Sequence, residues 1–185
     1  MTVRIISGER RGTKLQTPEG LDTRPLRGRV REALFNILRP TIGGGVVMDV
    51  FAGSGAVGLE ALSNGAAWVT FAEAAPQAAG CLQANIDKLR YNDRCEVLKG
   101  AAPEVLRRAM LPEGKADLLL LMPPYHSGLC AKVLGAAELG PFVTEETLAV
   151  CEVHRSEDLL LPRGWECGDE RLYGMTRLAF VRRAG

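Results

Sequence analysis

The run ADLLLLMPP at residues 116–124 constrains the fold more than any other feature, because it is short, almost wholly apolar and closed by two prolines. A continuous apolar strand is buried on both faces, which is typical of a parallel sheet covered by helices on either side. Two consecutive prolines cannot donate hydrogen bonds to a β ladder and therefore end such a strand. The run predicts an α/β fold.

Further apolar runs alternate with helical patterns along the chain, as in a doubly wound α/β domain. The other strands are expected at residues 46–51, 68–73, 95–100 and 147–154, and the helices at 55–65, 76–90, 103–111 and 127–139. The tail at residues 165–183 has the alternation of a hairpin and no room for two more helices, so it predicts strands six and seven.

A triple glycine at residues 43–45 separates this pattern from an opening segment of different composition. There the runs VRIIS and TKLQT flank a glycine-bearing turn and predict two short strands, and residues 27–38 have helical spacing. We therefore expect a small extension over residues 1–42 and a main domain over 43–185, joined in one compact unit.

The near-neutral net charge of +1 conceals an uneven distribution. Residues 1–40 carry nine basic and four acidic side chains, a net +5, and the remainder carries 14 basic and 18 acidic, a net −4. Such a segment is suited to contact nucleic-acid phosphates, although a solvated charged face is the simpler alternative. The candidate RNA-binding residues are Arg4, Arg10, Arg11, Lys14, Arg24, Arg27, Arg29 and Arg31.

Several other functions are disfavoured by composition. No apolar run approaches the roughly 20 residues of a membrane span, and the first residues become charged too early for a signal peptide. The five cysteines lack metal-ligand or disulfide-scaffold spacing. We expect a cytoplasmic monomer with reduced thiols, no metal and no membrane partner.

The first predicted strand leads into the glycine-rich sequence DVFAGSGAVG at residues 49–58, which contains the pattern GxGxxG. Asp49 stands at the strand tip, where a carboxylate would repel a diphosphate and attract a cation. S-adenosylmethionine carries a sulfonium and an ammonium and no phosphate. We therefore expect it to be the cofactor, with Asp49 holding its amino group, directly or through water.

The second predicted strand ends in Glu73, which is placed to accept hydrogen bonds from both ribose hydroxyls of a nucleoside cofactor. The fourth ends in Met122, Pro123, Pro124 and Tyr125. A planar base can stack on the tyrosine ring while its exocyclic amine donates to the fixed carbonyls. These four residues are the candidate catalytic residues.

In their order and spacing, RIISGERRGTKLQTP, REALFNIL, FAGSGAVGLEALSNGA, FAE and PPY resemble the bacterial methyltransferases that modify N2 of a guanine in small-subunit ribosomal RNA. The resemblance implies a Rossmann-like class I methyltransferase fold with seven strands, the last antiparallel. It also implies ribosomal RNA, naked or in an assembly particle, as the partner. The implied cofactor-binding residues are Asp49, Phe51, Ala52, Gly53, Ser54, Gly55, Glu73 and Ala101.

Two positions depart from that family's pattern. Met122 stands where the family usually has an aspartate before Pro-Pro, and Ala101 or Ala102 stands where it usually has an aspartate that binds adenine. The departures leave open a second hypothesis. The chain could be a catalytically weakened or inactive relative that binds S-adenosylmethionine, RNA or both and acts as a binding or assembly protein. A third hypothesis, a nicotinamide-dependent oxidoreductase, is supported only by the GxGxxG pattern, and Asp49 argues against it.

Overall fold

A computed structural model describes residues 3–18, 28–137 and 139–184 of the chain. Its centre is a seven-stranded sheet in the order β3-β2-β1-β4-β5-β7-β6. The first five strands run parallel, whereas β7 pairs antiparallel with β5 and β6 pairs antiparallel with β7. The strands are β1 Val46–Asp49, β2 Trp68–Glu73, β3 Cys95–Lys99, β4 Leu118–Leu121, β5 Leu148–His154, β6 Trp165–Tyr173 and β7 Thr176–Arg183. The predicted fold class and the terminal hairpin are confirmed.

The central strand β4 is buried along its whole length, as its composition predicts. Its alternate residues enter two different cores, with Leu118 and Leu120 on one face of the sheet and Leu119 and Leu121 on the other. Burying an apolar side chain of this size contributes about 1.5 to 3 kcal/mol. Helices therefore have to cover both faces.

In the described part of the chain, four α-helices surround the sheet: α1 Gly28–Ile42, α2 Ala56–Ser63, α3 Pro76–Leu89 and α4 Leu129–Leu134. Proline occupies the first turn of α3, where its missing N–H costs nothing, and Arg90 ends the helix in a left-handed conformation. The core side of α3 is formed by residues three or four apart, Ala78, Leu82, Ile86 and Leu89.

Two predicted helices are shorter than expected. The helix expected at residues 103–111 is a 3₁₀ helix at Glu104–Arg108, after which the backbone becomes extended and the Met110 N–H donates to Glu96. The helix expected at 127–139 stops at Leu134, before Gly135. The short helices bury Val105 and Leu106 in the first segment and Cys130, Val133 and Leu134 in the second.

Residues 3–18 form an irregular hairpin in which the two predicted strands are reduced to one bridge between Arg4 and Lys14. Backbone hydrogen bonds from Leu15 to Val3 and from Ile5 to Thr13 hold its arms together. Val3, Ile5 and Leu15 are buried in the same core as α1, α2 and one face of the sheet. This hairpin, residues 3–18, is called the N-terminal hairpin below.

Candidate functional site

The glycine-rich loop runs from the end of β1 to the start of α2 and needs two residues with positive φ. Gly53 has φ +56° and Gly55 has φ +83°, a region that residues with a Cβ rarely adopt. A Cβ on Gly53 would meet no atom within 4 Å, so this side of the loop is open. A Cβ on Gly55 would lie 2.4 Å from Leu82, so close packing on α3 also requires glycine there.

Asp49 ends β1 with a side chain that is almost completely buried. One of its carboxylate oxygens accepts a hydrogen bond from the Gly58 N–H at 2.9 Å. Burial raises the pKa of Asp49 to about 7, the Gly58 hydrogen bond opposes that rise, and the nearby Glu73 carboxylate adds to it. Among the residues that the structure describes, no Lys, Arg or His forms an ion pair with this buried acid.

Gly58 is the third glycine of the pattern, and it allows α2 to approach the sheet. A Cβ there would lie 2.3 Å from the Phe71 ring and 2.9 Å from the Asp49 carboxylate. The Gly58 N–H could not keep its bond to Asp49 if the helix moved away to make room. This glycine therefore sets both the helix–sheet packing and the environment of the buried acid.

Glu73 ends β2 and holds the loops on either side of it. Its two carboxylate oxygens accept hydrogen bonds from the N–H groups of Gly53 and Ala75, each at 2.7 Å. The Gly100 N–H donates to the Glu73 carbonyl at 2.9 Å, which brings the loop after β3 alongside. Ala101 follows in that loop with an exposed side chain.

The remaining loop residues of the predicted cofactor set have different surroundings. The Ala52 N–H donates to the Ala72 carbonyl at 3.1 Å, and Ala52 is buried. Phe51 is half-buried and packs on the opposite core from Ala52. The Ser54 carbonyl accepts a hydrogen bond from the Asn85 side chain at 2.9 Å.

This arrangement fits a cationic cofactor that lacks phosphate. Two carboxylates, Asp49 and Glu73, lie close enough to interact, and the buried one gains stability if a positive charge binds beside it. The open side of Gly53 provides room for the rest of the ligand. S-adenosylmethionine has this charge distribution, whereas a dinucleotide would place its pyrophosphate against Asp49.

The predicted base pocket follows β4. Met122 is half-buried against the core that contains Leu120, Pro123 is buried, and Pro124 is exposed. The Tyr125 hydroxyl donates to the Glu152 carboxylate at 2.8 Å and lies 2.8 Å from the Thr176 hydroxyl. The His154 ring meets the Tyr125 ring edge-on, with the centroids 5.5 Å apart.

The structure adds two polar residues to the predicted site. Glu152 lies in β5 and is only 8% exposed, and Asn85 lies in α3 and is fully buried. Asn85 accepts the Gln16 N–H and donates to the carbonyls of Gln16 and Ser54, which joins the N-terminal hairpin to the glycine loop. An acid inside the apolar strand TLAVCEVH was the available signal for Glu152.

The predicted RNA-binding residues divide by exposure. Arg4, Arg11, Lys14 and Arg29 are exposed, and Arg10 is half-buried with its guanidinium 5.8 Å from the Tyr91 ring centre. Arg24 and Arg27 lie outside the described residues. Lys88, an exposed residue of α3, donates to the Lys14 carbonyl at 2.8 Å and adds a positive charge beside it.

Arg31 is a correction to the predicted RNA surface. Its side chain is 4% exposed, lies 3.6 Å from the buried Glu60 carboxylate and donates to the Arg4 carbonyl. Burial lowers the pKa of Arg31, and the charge of Glu60 opposes that effect. Arg31 therefore holds the N-terminal hairpin on α2 and does not face a phosphate.

Within residues 3–18, 28–137 and 139–184, no group of three or more His, Cys, Asp or Glu side chains could hold a metal ion. The helices that the structure describes are all too short or too polar to cross a bilayer.

The strand order, the antiparallel seventh strand and the glycine loop beside Asp49 define the fold of the class I S-adenosylmethionine-dependent methyltransferases. Within that class, residues 3–182 match the family described as Conserved hypothetical protein 95, and the chain belongs to this family. The family resemblance noted in the sequence is thereby confirmed.

Individual relatives cover almost the whole chain. Ribosomal RNA small subunit methyltransferase D of Escherichia coli (strain K12) is 32% identical over 182 residues, which span 98% of this chain and 90% of the relative. The protein of the same name from Haemophilus influenzae is 32% identical over 94% of this chain and 90% of its own length. The solved structure of yhhF from Escherichia coli has a TM-score of 0.83 at 30% identity and covers 100% of this chain and 99% of that one.

Proposed function

We propose that this protein transfers a methyl group from S-adenosylmethionine to the exocyclic N2 of a guanine in small-subunit ribosomal RNA. The observation that carries the proposal is the position of the acidic pair Asp49 and Glu73 at the same sheet edge as the Pro-Pro-Tyr loop. Two relatives named ribosomal RNA small subunit methyltransferase D support the RNA substrate. Such a substrate is consistent with a cytoplasmic protein.

In this proposal each group of the cofactor pocket would bind a different part of the ligand. Asp49 would bind the ammonium, Glu73 the ribose hydroxyls, and the backbone of Phe51–Gly55 would lie along the methionine and ribose portions. Ala101, beside the end of β3, would line the adenine end without supplying an acceptor. When bound, S-adenosylmethionine supplies an electrophilic methyl group, which the guanine nitrogen takes up as S-adenosylhomocysteine leaves and N2 loses a proton.

The loop after β4 would hold the base. Tyr125 offers a ring for stacking, and its hydroxyl is fixed by Glu152 and Thr176, so the ring needs little reordering when a base enters. The Pro123 carbonyl can accept one amine hydrogen. The Met122 thioether is only a weak hydrogen-bond acceptor, and loss of one strong, well-placed acceptor typically costs about 10² to 10³ in rate.

The N-terminal hairpin would contact RNA phosphates through its exposed basic residues. Lys14 lies close in sequence to Gln16, which is bonded through Asn85 to the glycine loop, so this end of the hairpin is near the pocket. Arg10 is held by its N–H to Ser63, at the far end of α2. An eight-residue helix is about 12 Å long, so the basic residues extend over a surface wide enough for more than one phosphate.

Met122 and Ala101 also favour a second candidate function. A chain with neither acceptor could bind the cofactor and RNA as an assembly protein without rapid turnover. A buried, destabilising Asp49 is difficult to explain in a protein that has no use for a cationic ligand. Both candidate functions use a cationic cofactor, so turnover, and not Asp49, distinguishes the enzyme from the binding protein.

Methyl transfer from labelled S-adenosylmethionine to unmethylated small-subunit RNA or particles tests the proposal. We expect incorporation at a guanine N2 by the wild-type chain, and none above background by Asp49→Ala. Incorporation equal to that of Asp49→Ala would support the binding protein. In calorimetry, tight binding of NAD in place of S-adenosylmethionine would contradict both functions.

Met122→Asp tests the base pocket separately. If Met122 only lacks an acceptor, the aspartate should raise the rate of methyl transfer by at least about tenfold. A rate that is unchanged or lower would show that the pocket is built for a different target atom.

A further inference from the structure

One face of the sheet carries a row of acidic side chains at its carboxyl edge. Asp49 pairs with Phe71 in β2 and with Leu120 in β4, and Glu73 lies two residues after Phe71 on the same face. Residues Leu120 and Val150 pair between β4 and β5, so Glu152, two residues further along β5, also lies on this face. Met122, which follows β4, packs against the same core.

Met122 and Glu152 therefore occupy neighbouring positions. The last pair of the ladder joins Leu121 to Cys151, and the next residue on each strand is Met122 or Glu152. Adjacent strands lie about 4.8 Å apart. The Glu152 carboxylate thus lies one strand away from position 122, where Met122 replaces the aspartate that the family usually has.

The surroundings of Glu152 do not account for its charge. It is 8% exposed, and in the described part of the chain no Lys or Arg lies within ion-pair distance of it. Burial raises the pKa of Glu152, and the Tyr125 hydroxyl, which donates to Oε1, opposes the rise. An acid held in this way is costly unless a further donor uses it.

We propose that Glu152 determines specificity for guanine, its carboxylate accepting hydrogen bonds from N1–H and N2–H of the base that stacks on Tyr125. This inference rests on the proposed function and assigns to Glu152 the recognition that Met122 cannot provide. Guanine presents two adjacent donors on that edge, which match the two oxygens of a carboxylate. Adenine presents an acceptor at N1 and no amine at C2, so the same carboxylate would repel it.

The amide Glu152→Gln tests this assignment because it keeps the shape and can still accept the Tyr125 hydrogen bond. The glutamine oxygen can accept a hydrogen bond from N2–H, and its N–H₂ group can donate to an unprotonated N1. 2-Aminopurine, which has an amine at C2 and an acceptor at N1, matches these two groups. We expect the wild-type chain to prefer guanosine monophosphate over the 2-aminopurine analogue by at least about tenfold, and Glu152→Gln to reverse that preference. Binding is measured by calorimetry with S-adenosylhomocysteine present.

A transfer assay on RNA with guanine or 2-aminopurine at the methylated position gives the second measurement. Glu152→Gln should lose at least about 30-fold in rate on guanine and regain part of it when combined with Met122→Asp. Glu166→Gln, an exposed acid-to-amide change in β6, serves as the matched control and should behave as wild type.

The two proposals can fail separately. A wild-type chain that transfers no methyl group to RNA, yet shows the reversed nucleotide preference in Glu152→Gln, would overturn the proposed function and support the role of Glu152. A Glu152→Gln chain that still prefers guanine, with an unfolding temperature like that of wild type, would overturn the role of Glu152. A purely structural residue would change the unfolding temperature and leave the nucleotide preference intact.

Discussion

At the residue scale, Asp49 couples the stability of the fold to its ligand. Its pKa of about 7 lies above the usual value for an aspartate, so between pH 4 and pH 7 the folded chain binds a proton that the unfolded chain does not. Stability of the ligand-free protein therefore falls as the pH rises through this window and levels off above it. Below pH 4 both states are protonated, and Asp49 has no effect.

Asp49→Asn removes this pH-dependent loss, and the amide oxygen can still accept from Gly58. We expect it to raise the unfolding temperature of the ligand-free protein by up to roughly 10 °C at pH 8 and hardly at all at pH 4, the larger value corresponding to a stabilisation of up to about 4 kcal/mol. Affinity for S-adenosylmethionine should fall at least about 30-fold. Thermal unfolding and calorimetry measure the two effects, with the exposed Asp158→Asn as control. Equal stabilisation at both pH values would contradict this account.

Gly58 and Gly80 form a matched pair for testing the helix–sheet contact. Gly58→Ala places a methyl group 2.3 Å from the Phe71 ring and should destabilise the fold by about 2 to 4 kcal/mol. Gly80→Ala lies on the exposed side of α3 with no atom within 4 Å, and should be neutral or stabilise by up to about 1 kcal/mol. Urea unfolding compares them, and similar values for both would show that the close contact is not the cause.

At the scale of elements, polar contacts determine how the N-terminal hairpin lies on the fold. Glu60, a fully buried residue of α2, accepts hydrogen bonds from the Ile6 and Ser7 N–H groups and from the Ser7 hydroxyl. The same carboxylate pairs with Arg31 of α1. One acid therefore joins the hairpin and two helices.

Glu60→Gln leaves the buried Arg31 without its charged partner. It also turns an amide N–H₂ group toward donors on Ile6 and Ser7, which then lose an acceptor. We expect a loss of about 3 to 5 kcal/mol in unfolding free energy and faster proteolysis within residues 3–18. Glu32→Gln, an exposed position on α1, should change neither. Urea unfolding and limited proteolysis followed by mass spectrometry provide the test. Unchanged cleavage in Glu60→Gln would show that apolar burial alone holds the hairpin.

The elements that depend on periodicity could be predicted, and those that depend on tertiary contacts could not. The four consecutive leucines of β4 and the i, i+4 spacing of α3 specify their structures locally. Glu60 and Asn85 are buried polar residues whose partners lie on distant parts of the chain, so no local pattern identifies them. The apolar strand around Glu152 marks that acid as unusual, but its partner Tyr125 is 27 positions away. For the same reason Arg31 resembles a surface cation in the sequence, because its partner Glu60 is 29 positions away.

At the scale of the whole molecule, the separation of charge predicts how RNA binding responds to salt. Arg11, Lys14 and Arg29 are exposed in the basic part of the chain. Replacing all three with alanine should reduce the salt dependence of RNA binding by up to about three phosphate contacts, each contributing roughly 0.7 to 0.9 to the slope.

The control for this prediction removes the same charge elsewhere. Arg107, Lys115 and Arg163 are exposed and lie outside the N-terminal segment, so their triple alanine variant should keep most of the slope. Affinity measured at several salt concentrations distinguishes the two variants. Equal slopes would mean that net charge, and not the basic segment, controls RNA binding.

The contacts of the N-terminal hairpin also bear on the order in which a new chain can fold. Apart from the bond between Arg4 and Arg31, the hairpin bonds to groups 53 to 85 positions later, among them Glu60, Asn85 and Arg94. During synthesis, residues 3–18 therefore leave the ribosome well before their partners exist. Until α3 has been made, the basic segment is free of the surface that later positions it, and the cofactor loop lacks the bond from Asn85 that joins it to the hairpin.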